Sequence, residues 1–372
     1  MTGGARFAKF EARFATEREL AAPYVETIRH DPPSAPPPGW ITLGFAYELC
    51  GAAHEASTPA ESAALAQLAI GVAERLDDSY PRVARRHILA RAWKELAHAH
   101  RTRGKHADAL AALDRANAAI GDEAALGWDE TVVTLCRATT LSNLHRHEEA
   151  LRLVGEARAA FEQLGDRRLV IQCELQYGTI ADRRGDFGAA ERAYREASRL
   201  ALAAGDVRTA GSAWLNLGAL AARGGRVAEA LESLARARAL FRELDARDEL
   251  ARGDLWIGVA LLAAGNPDQA IPLLSGARDA FRTLDMPEES GLAGVDLAEA
   301  FLVLGRVEAA RQLLGEVIDE FRRHHLNERA VVALTYLRDL PAPARGTAQQ
   351  VRAYLERLRR EPHLLFAVPD ER

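Results

Sequence analysis

The chain has 372 residues, a formal net charge of −5, and 48% hydrophobic but only 6% aromatic residues. The negative charge argues against a protein that binds nucleic acid through its overall charge. No apolar run reaches the roughly 18 residues that a membrane-spanning helix needs. The chain has an odd number of cysteines, which are far apart and form no metal-binding or disulfide pattern: Cys50, Cys136 and Cys173. Because its start does not resemble a signal peptide, we expect a cytoplasmic protein.

The N-terminal segment predicts one helix and a stiff linker. Residues 5–29 are rich in Ala, Glu, Arg and Phe, and their apolar side chains lie on one side of a helix. Residues 31–38 read DPPSAPPP. Each proline lacks a backbone donor and restricts the residue before it, so this stretch cannot be helical. We therefore assign residues 1–38 to an N-terminal helix and a proline-rich linker.

The sequence then repeats with a constant period of about 40 residues, a length typical of helical repeat arrays. Alanine recurs with this spacing at Ala150, Ala190, Ala230, Ala270 and Ala310. Glycine recurs at Gly185, Gly225, Gly265 and Gly305, and His145 takes the equivalent place one repeat earlier. Each repeat predicts a helix, a glycine turn and a second helix, because glycine adopts the left-handed helix-ending conformation without a Cβ penalty.

Glycines inside the first helices predict close helix packing. Gly178, Gly218 and Gly258 take the same place in three successive repeats. Glycine in a helix costs about 1 kcal/mol relative to alanine. We expect the close approach of a neighbouring helix, with a large side chain filling the space, to offset this cost.

Three stretches place a tryptophan, a leucine and a small residue at the same spacing. They are Trp214-Leu217-Gly218 with Ala230, Trp93-Leu96-Ala97 with Ala109, and Trp40-Leu43-Gly44-Tyr47. These stretches resemble tetratricopeptide repeats, whose signature is W-x2-L-G-x2-Y followed by A-x3-F and P. The period exceeds the usual length of about 34 residues and is similar to that of extended repeats in bacterial signal-sensing regulators. The resemblance implies an all-α fold, a right-handed α-solenoid of antiparallel helix pairs over residues 39–326.

Residues 327–372 depart from the repeat and predict capping helices with an apolar tail. Thr347, with Gln350 three residues later, has the spacing of a capping box and predicts the N-cap of a basic helix that runs through Arg360. A solenoid needs atypical end helices to cover its last apolar face. We therefore assign residues 327–372 to a C-terminal cap.

Motifs for catalysis are absent from the sequence. It contains no GxxxxGK[ST] phosphate loop, no GxSxG and no HExxH. His145 and His147 lie two residues apart at a predicted turn, so they would not share a helix face. The sequence predicts a protein that is not an enzyme and has no cofactor and no metal.

Basic residues concentrate between Arg82 and His106, where eight Arg or Lys accompany one acid, Glu95. On a helix, residues spaced by three or four form one stripe: His87, Arg91, Lys94, His98, Arg101 and Lys105. In tetratricopeptide repeats the first helix of each pair lines the concave groove, so the resemblance implies that Arg91, Lys94 and His98 face it. Such a stripe predicts capture of an acidic peptide, a carboxylate or a phosphate, strengthened below pH about 6.5 by protonated histidines. The alternative is a solvated face whose charges pair with acids of neighbouring repeats.

Equivalent places in later repeats carry side chains suited to a peptide. They are Gln172, Gln176, Asn216, Arg252 and Trp256. The amides and Arg252 could bond a peptide backbone, and Trp256 could hold an apolar side chain. We expect a non-catalytic scaffold that binds a protein or peptide, with acidic partners favoured and no membrane or nucleic acid involved. The alternative is a regulatory sensor that binds a small signal or peptide and acts on a separate effector.

Overall fold

Helices account for the regular structure of this protein. The computed structural model describes residues 3–341, 343–359, 361 and 364–367, with side chains from residue 8 on. Over these residues the chain forms 17 α-helices and no strand, which confirms the predicted all-α fold class. No helix in the described part is long and apolar enough to cross a membrane. The chain divides into two compact units. The first ends at Cys173, and the second begins at Glu174.

The helices of the first unit are α1 (Gly3–Ile28), α2 (Leu43–Glu55), α3 (Pro59–Ala73), α4 (Arg82–Thr102), α5 (His106–Ile120), α6 (Gly127–Asn143) and α7 (His147–Leu164). The boundary between the units falls in α8 (Arg167–Arg184). The second unit continues with α9 (Phe187–Ala204), α10 (Val207–Arg223), α11 (Val227–Glu243), α12 (Arg247–Ala263), α13 (Pro267–Thr283), α14 (Pro287–Val303), α15 (Val307–Arg323), α16 (Glu328–Asp339) and α17 (Arg345–Leu358). Within each unit, helices joined by short turns pack on one another as antiparallel pairs.

The turns of the array depend on left-handed backbone conformations. The predicted turn within each repeat has positive φ at Gly104, His145, Gly185, Gly225, Gly265 and Gly305. The turn between repeats follows the same rule at Gly165, Gly205, Asp245, Asp285 and His325. Asp and His tolerate this region better than branched residues do. The left-handed conformation therefore recurs with the repeat period even where another residue replaces glycine.

The helix glycines lie where neighbouring side chains approach most closely. A Cβ atom on Gly218 would lie 2.5 Å from Cγ of Leu234, and one on Gly258 would lie 2.6 Å from Cδ2 of Leu274. On Gly178 it would lie 2.7 Å from the ring of Tyr194. These distances confirm the predicted close packing, because each is shorter than a carbon–carbon contact allows.

The N-terminal helix packs on α2, and Trp40 of the first signature match lies outside a helix. Trp40 lies before α2, which begins after Thr42, whose hydroxyl accepts a hydrogen bond from the Phe45 N–H at 3.2 Å. The Trp40 ring stacks on Tyr24 of α1, with ring centroids 4.4 Å apart. Trp40 therefore anchors the linker to α1 and is not the tryptophan of a first repeat helix.

At the C-terminal end, α16 packs on α15, whereas α17 packs on both α16 and α14. Helix α17 begins at Arg345, and the Thr347 N–H donates to the Ala344 carbonyl at 3.1 Å. The predicted N-cap at Thr347 is therefore wrong, because Ala344, three residues earlier, takes that place. Residues 360, 362–363 and 368–372 of the predicted tail lie outside the described residues.

Candidate functional site on helix α4

Helix α4 has an apolar side in the core and a basic side that is half-buried. Ile88, Ala92 and Leu96 are buried. The four predicted site residues Arg91, Lys94, His98 and Arg101 are all half-buried on this helix. Lys105 does not extend the stripe, because α4 ends at Thr102 and Lys105 is exposed in the turn that follows.

Arg91 lies against an aromatic ring. Its Cζ atom is 4.3 Å from the ring centroid of Tyr47 on α2. Arg18 of α1 approaches the same ring, with Cζ 4.4 Å from the centroid. The ring attracts both cations electrostatically and fixes the direction of the Arg91 side chain. Arg91 forms no ion pair with a carboxylate in the part of the chain that the structure describes.

Lys94 pairs with its own neighbour, Glu95. Glu95 is buried at 1% exposure, and its other oxygen lies 3.3 Å from Nδ1 of His54 on α2. Burial acts to raise the pKa of Glu95, but the hydrogen bond of His54 and the charge of Lys94 outweigh it, so this pKa is lowered. In turn, the hydrogen bond to Glu95 raises the pKa of His54. The three residues form a charged cluster that ties α2 to α4.

His98 and Arg101 contact each other. Nη2 of Arg101 lies 2.8 Å from Nδ1 of His98, and only a neutral ring nitrogen can accept this hydrogen bond. Burial, together with the Arg101 charge, lowers the pKa of His98 to about 4. His98 is therefore neutral near pH 6.5 and does not contribute the positive charge expected of the stripe's histidines just below that pH.

Arg101 is the least compensated cation of the stripe. Burial lowers its pKa, and it forms no ion pair with a carboxylate among the described residues. His87, at the other end of α4, pairs with Asp129 of α6 at 2.9 Å. His87 thus pairs with an acid of a neighbouring repeat, as in the alternative interpretation, whereas Lys94 pairs with Glu95 of its own helix. Arg91 and Arg101 pair with no carboxylate among the described residues.

Two further residues of this site, His54 and Tyr47, were not predicted. Both lie on α2, and the ring centroids of His54 and His98 are 6.2 Å apart. Nothing in the local sequence distinguishes them. Only the packing of α2 against α4 brings them to the basic face.

The other predicted site residues lie on first helices of later repeats, and each is half-buried. Gln172 and Gln176 are on α8, and Asn216 is on α10. On α12, Arg252 pairs with Glu289 at 3.3 Å, and the Trp256 ring centroid lies 5.3 Å from Cζ of Arg352 on α17. Arg252 and Trp256 therefore already have partners within the second unit.

Three segments match family models that describe the tetratricopeptide repeat, namely residues 130–203, 175–249 and 261–327. With the helix pairs and the small-residue contacts above, these matches show that the chain belongs to the tetratricopeptide repeat family. No functionally characterised protein is a significant match by sequence.

Solved structures share this fold at low sequence identity. A Rap protein complexed with Competence and Sporulation Factor has a TM-score of 0.61 at 15% identity, covering 86% of this chain and 85% of its own. Aspartyl phosphate phosphatase F from Bacillus subtilis has a TM-score of 0.59 at 12% identity, covering 75% and 70%. The Rap conjugation gene regulator of plasmid pLS20, in complex with the Phr* peptide, has a TM-score of 0.53 at 11% identity, covering 95% and 98%. At these identities the likeness is one of fold.

Proposed function

We propose that this protein is a non-catalytic, cytoplasmic scaffold that binds a protein or peptide, and that the basic face of α4 binds an acidic group of that partner. The observation that carries the proposal is Arg101, a half-buried guanidinium whose hydrogen-bonded partner, His98, is neutral. Removing a cation from water without a counter-charge is costly. A bound carboxylate would compensate this cost with charge-assisted hydrogen bonds.

A further cation on the same helix supports an anion at this face. Arg91 is held by the ring of Tyr47 and pairs with no carboxylate among the described residues. Side chains that are already oriented lose less entropy on binding. The complex of a structural neighbour with the Phr* peptide shows that a protein with this fold can bind a peptide, which supports the same class of ligand here.

The test uses a fluorescent oligo-glutamate peptide and an oligo-glutamine peptide of equal length, followed by fluorescence anisotropy. We expect the full-length protein to prefer the glutamate peptide. Arg101→Gln should weaken that binding about tenfold, since a hydrogen bond to a charged group contributes roughly 1.5–3 kcal/mol. Circular dichroism would verify that the variant is folded.

Arg152→Gln is the matched control, because Arg152 is an exposed arginine of α7 paired with Glu156. It should leave the affinity for the glutamate peptide unchanged. Equal losses in both variants would mean that overall charge drives binding, and an unchanged affinity in Arg101→Gln would remove Arg101 from the site. Either result contradicts the proposal.

A regulatory sensor is the second candidate. The resemblance to a conjugation gene regulator extends over 95% of this chain and 98% of that protein. A sensor would change shape when its ligand binds. Small-angle scattering with and without a bound peptide distinguishes the two roles, because a scaffold predicts no change in the radius of gyration.

A further inference from the structure

Helix α17 and its C-cap residue present one arginine every seven residues to α14 of the same unit. Arg345 Nε lies 2.7 Å from Glu299. Arg352 pairs with Asp296, and Arg359 donates to Glu288 and Glu289 at 2.7 Å each. As the arginine number increases, the number of its acidic partner on α14 decreases. The two helices are therefore antiparallel, and their opposite charges are paired along the contact.

Two of the four acids in this contact are buried. Asp296 is 2% exposed and Glu299 is 5% exposed. One oxygen of Asp296 bonds Arg352, whereas Oδ2 has no hydrogen-bond partner among the described residues. Burial outweighs the attraction of Arg352 and raises the pKa of Asp296 to about 6. Acids this deeply buried are costly without a cation, and α17 supplies that cation.

The repeat register places α17 on the face that sequence analysis assigned to ligands. Asn216, Trp256 and Asp296 take the same place in three successive repeats. Arg352 contacts both Asp296 and Trp256. Arg345 also reaches α12, where Nη2 lies 3.3 Å from the Leu262 carbonyl. Helix α17 therefore crosses equivalent positions of two successive first helices.

An apolar stripe accompanies the arginines on α17. Its buried members are Ala348, Val351, Tyr354, Leu355 and Leu358, and they join the core cluster that contains α14. Their spacing of three and four residues is that of an amphipathic helix lying in a groove. The surface thus recognises a helix by an apolar stripe flanked by arginines at seven-residue spacing.

We propose that the face of α12 and α14 is a binding surface for a basic amphipathic helix, and that α17 is the resident helix that a partner protein's helix of the same pattern displaces. The partner it fits carries arginines seven residues apart beside an apolar stripe. Five residues separate the end of α16 from the start of α17, and release of α17 would break its packing on α16 as well as on α14. A buried ion pair contributes little net stability, because the cost of removing both charges from water offsets their attraction. An equivalent helix can therefore exchange for α17.

The test uses the full-length protein and a fluorescent synthetic peptide with the sequence of residues 345–359. The wild type should bind this peptide weakly, since the tethered helix competes at high effective concentration. The triple variant Arg345→Gln, Arg352→Gln and Arg359→Gln weakens the binding of α17 to the face of α12 and α14. It leaves the residues of that face unchanged. We expect it to bind the peptide at least about tenfold more tightly than the wild type.

Two controls identify the surface. Adding Asp296→Asn and Glu299→Gln to the triple variant should abolish the gain. Replacing exposed arginines on other helices, with Arg199→Gln, Arg236→Gln and Arg322→Gln, should leave peptide binding at the wild-type level. A folded triple variant that does not bind the peptide overturns the proposal. Loss of helix content in the triple variant also overturns it, because α17 would then be an essential part of the core. If the triple variant forms dimers, α17 of a second copy would occupy the face of α12 and α14. That result would overturn the assignment of this face to a separate partner protein.

Hydrogen exchange of the wild type provides an independent measurement. A displaceable helix detaches while the helices beneath it stay folded. Amides of α17 should therefore exchange at least about tenfold faster than those of α14 and α15. Equal protection of α17 and α14 would show that they open together, which contradicts a resident ligand.

Discussion

His54 and Glu95 show how a single contact makes stability depend on pH. The imidazole lies 3.3 Å from the buried carboxylate, and this hydrogen bond raises the pKa of His54 above its ordinary value of 6.5. A group whose pKa is raised by folding stabilises the folded state below its unfolded pKa. This contribution disappears as pH rises through the folded pKa.

We therefore expect His54→Ala to lower the thermal midpoint at pH 6 and to have a much smaller effect at pH 9. Circular dichroism melts of the variant and the wild type at both pH values measure this difference. The matched control is the same substitution in a Glu95→Gln background, where the pH dependence should be lost. An equal effect at both pH values would show that the pair is not charged in the folded protein.

Turn residues illustrate what can be predicted for a single position. Gly185 and Gly225 could be assigned a left-handed conformation because only glycine adopts it without cost. Asp245 has a φ of 47° and Asp285 a φ of 54°, in the turn where earlier repeats have glycine. The period alone identifies these positions, since aspartate also occurs in many other conformations.

At the scale of the helix, close packing decides whether a glycine helps or harms. Alanine favours a helix over glycine by about 1 kcal/mol. At Gly218, however, the new methyl group would lie 2.5 Å from Cγ of Leu234. Overpacking of this kind costs roughly 1–3 kcal/mol. We expect Gly218→Ala to lower the midpoint of thermal unfolding.

Gly276 of α13 is the matched control for this substitution. It is exposed, and a Cβ atom there would meet nothing within 4 Å. Gly276→Ala should stabilise the protein by up to about 1 kcal/mol through helix propensity. Melting curves of the two variants should therefore shift in opposite directions, and stabilisation by Gly218→Ala would contradict the role of close packing.

Helix α17 shows the limit of prediction at this scale. Its arginines at seven-residue spacing and its apolar stripe can be seen in the sequence, and a terminal helix at residues 327–372 was expected. The surface that it covers could not be predicted. Asp296 and Glu299 lie on α14, three helices earlier in the chain, and their link to Arg352, Arg345 and Gln349 exists only in the folded protein.

Most helices contact the next helix along the chain or the one after it. Among the described contacts, the packing of α17 on α14 is the exception. Each repeat is thus stabilised chiefly by its neighbours. A local defect should consequently have a local effect.

Hydrogen exchange of the Gly218→Ala variant tests this locality. Amides of α9 to α12 should exchange faster than in the wild type, whereas those of α2 to α4 should be unchanged. The Gly276→Ala variant serves as the control without accelerated exchange. A uniform increase along the chain would mean that both units unfold as one cooperative body.

The sequence by itself determined the helical class, the repeat period, the turn positions and the close contacts of Gly178, Gly218 and Gly258. These properties depend on local propensity and on a pattern that each repeat carries. Only the tertiary structure decided that His98 is neutral, that Arg101 has no acidic partner among the described residues, that Trp40 belongs to the linker, and that α17 covers Trp256. Burial, pKa and ion pairing depend on which distant side chains come together, and no spacing along the chain specifies that.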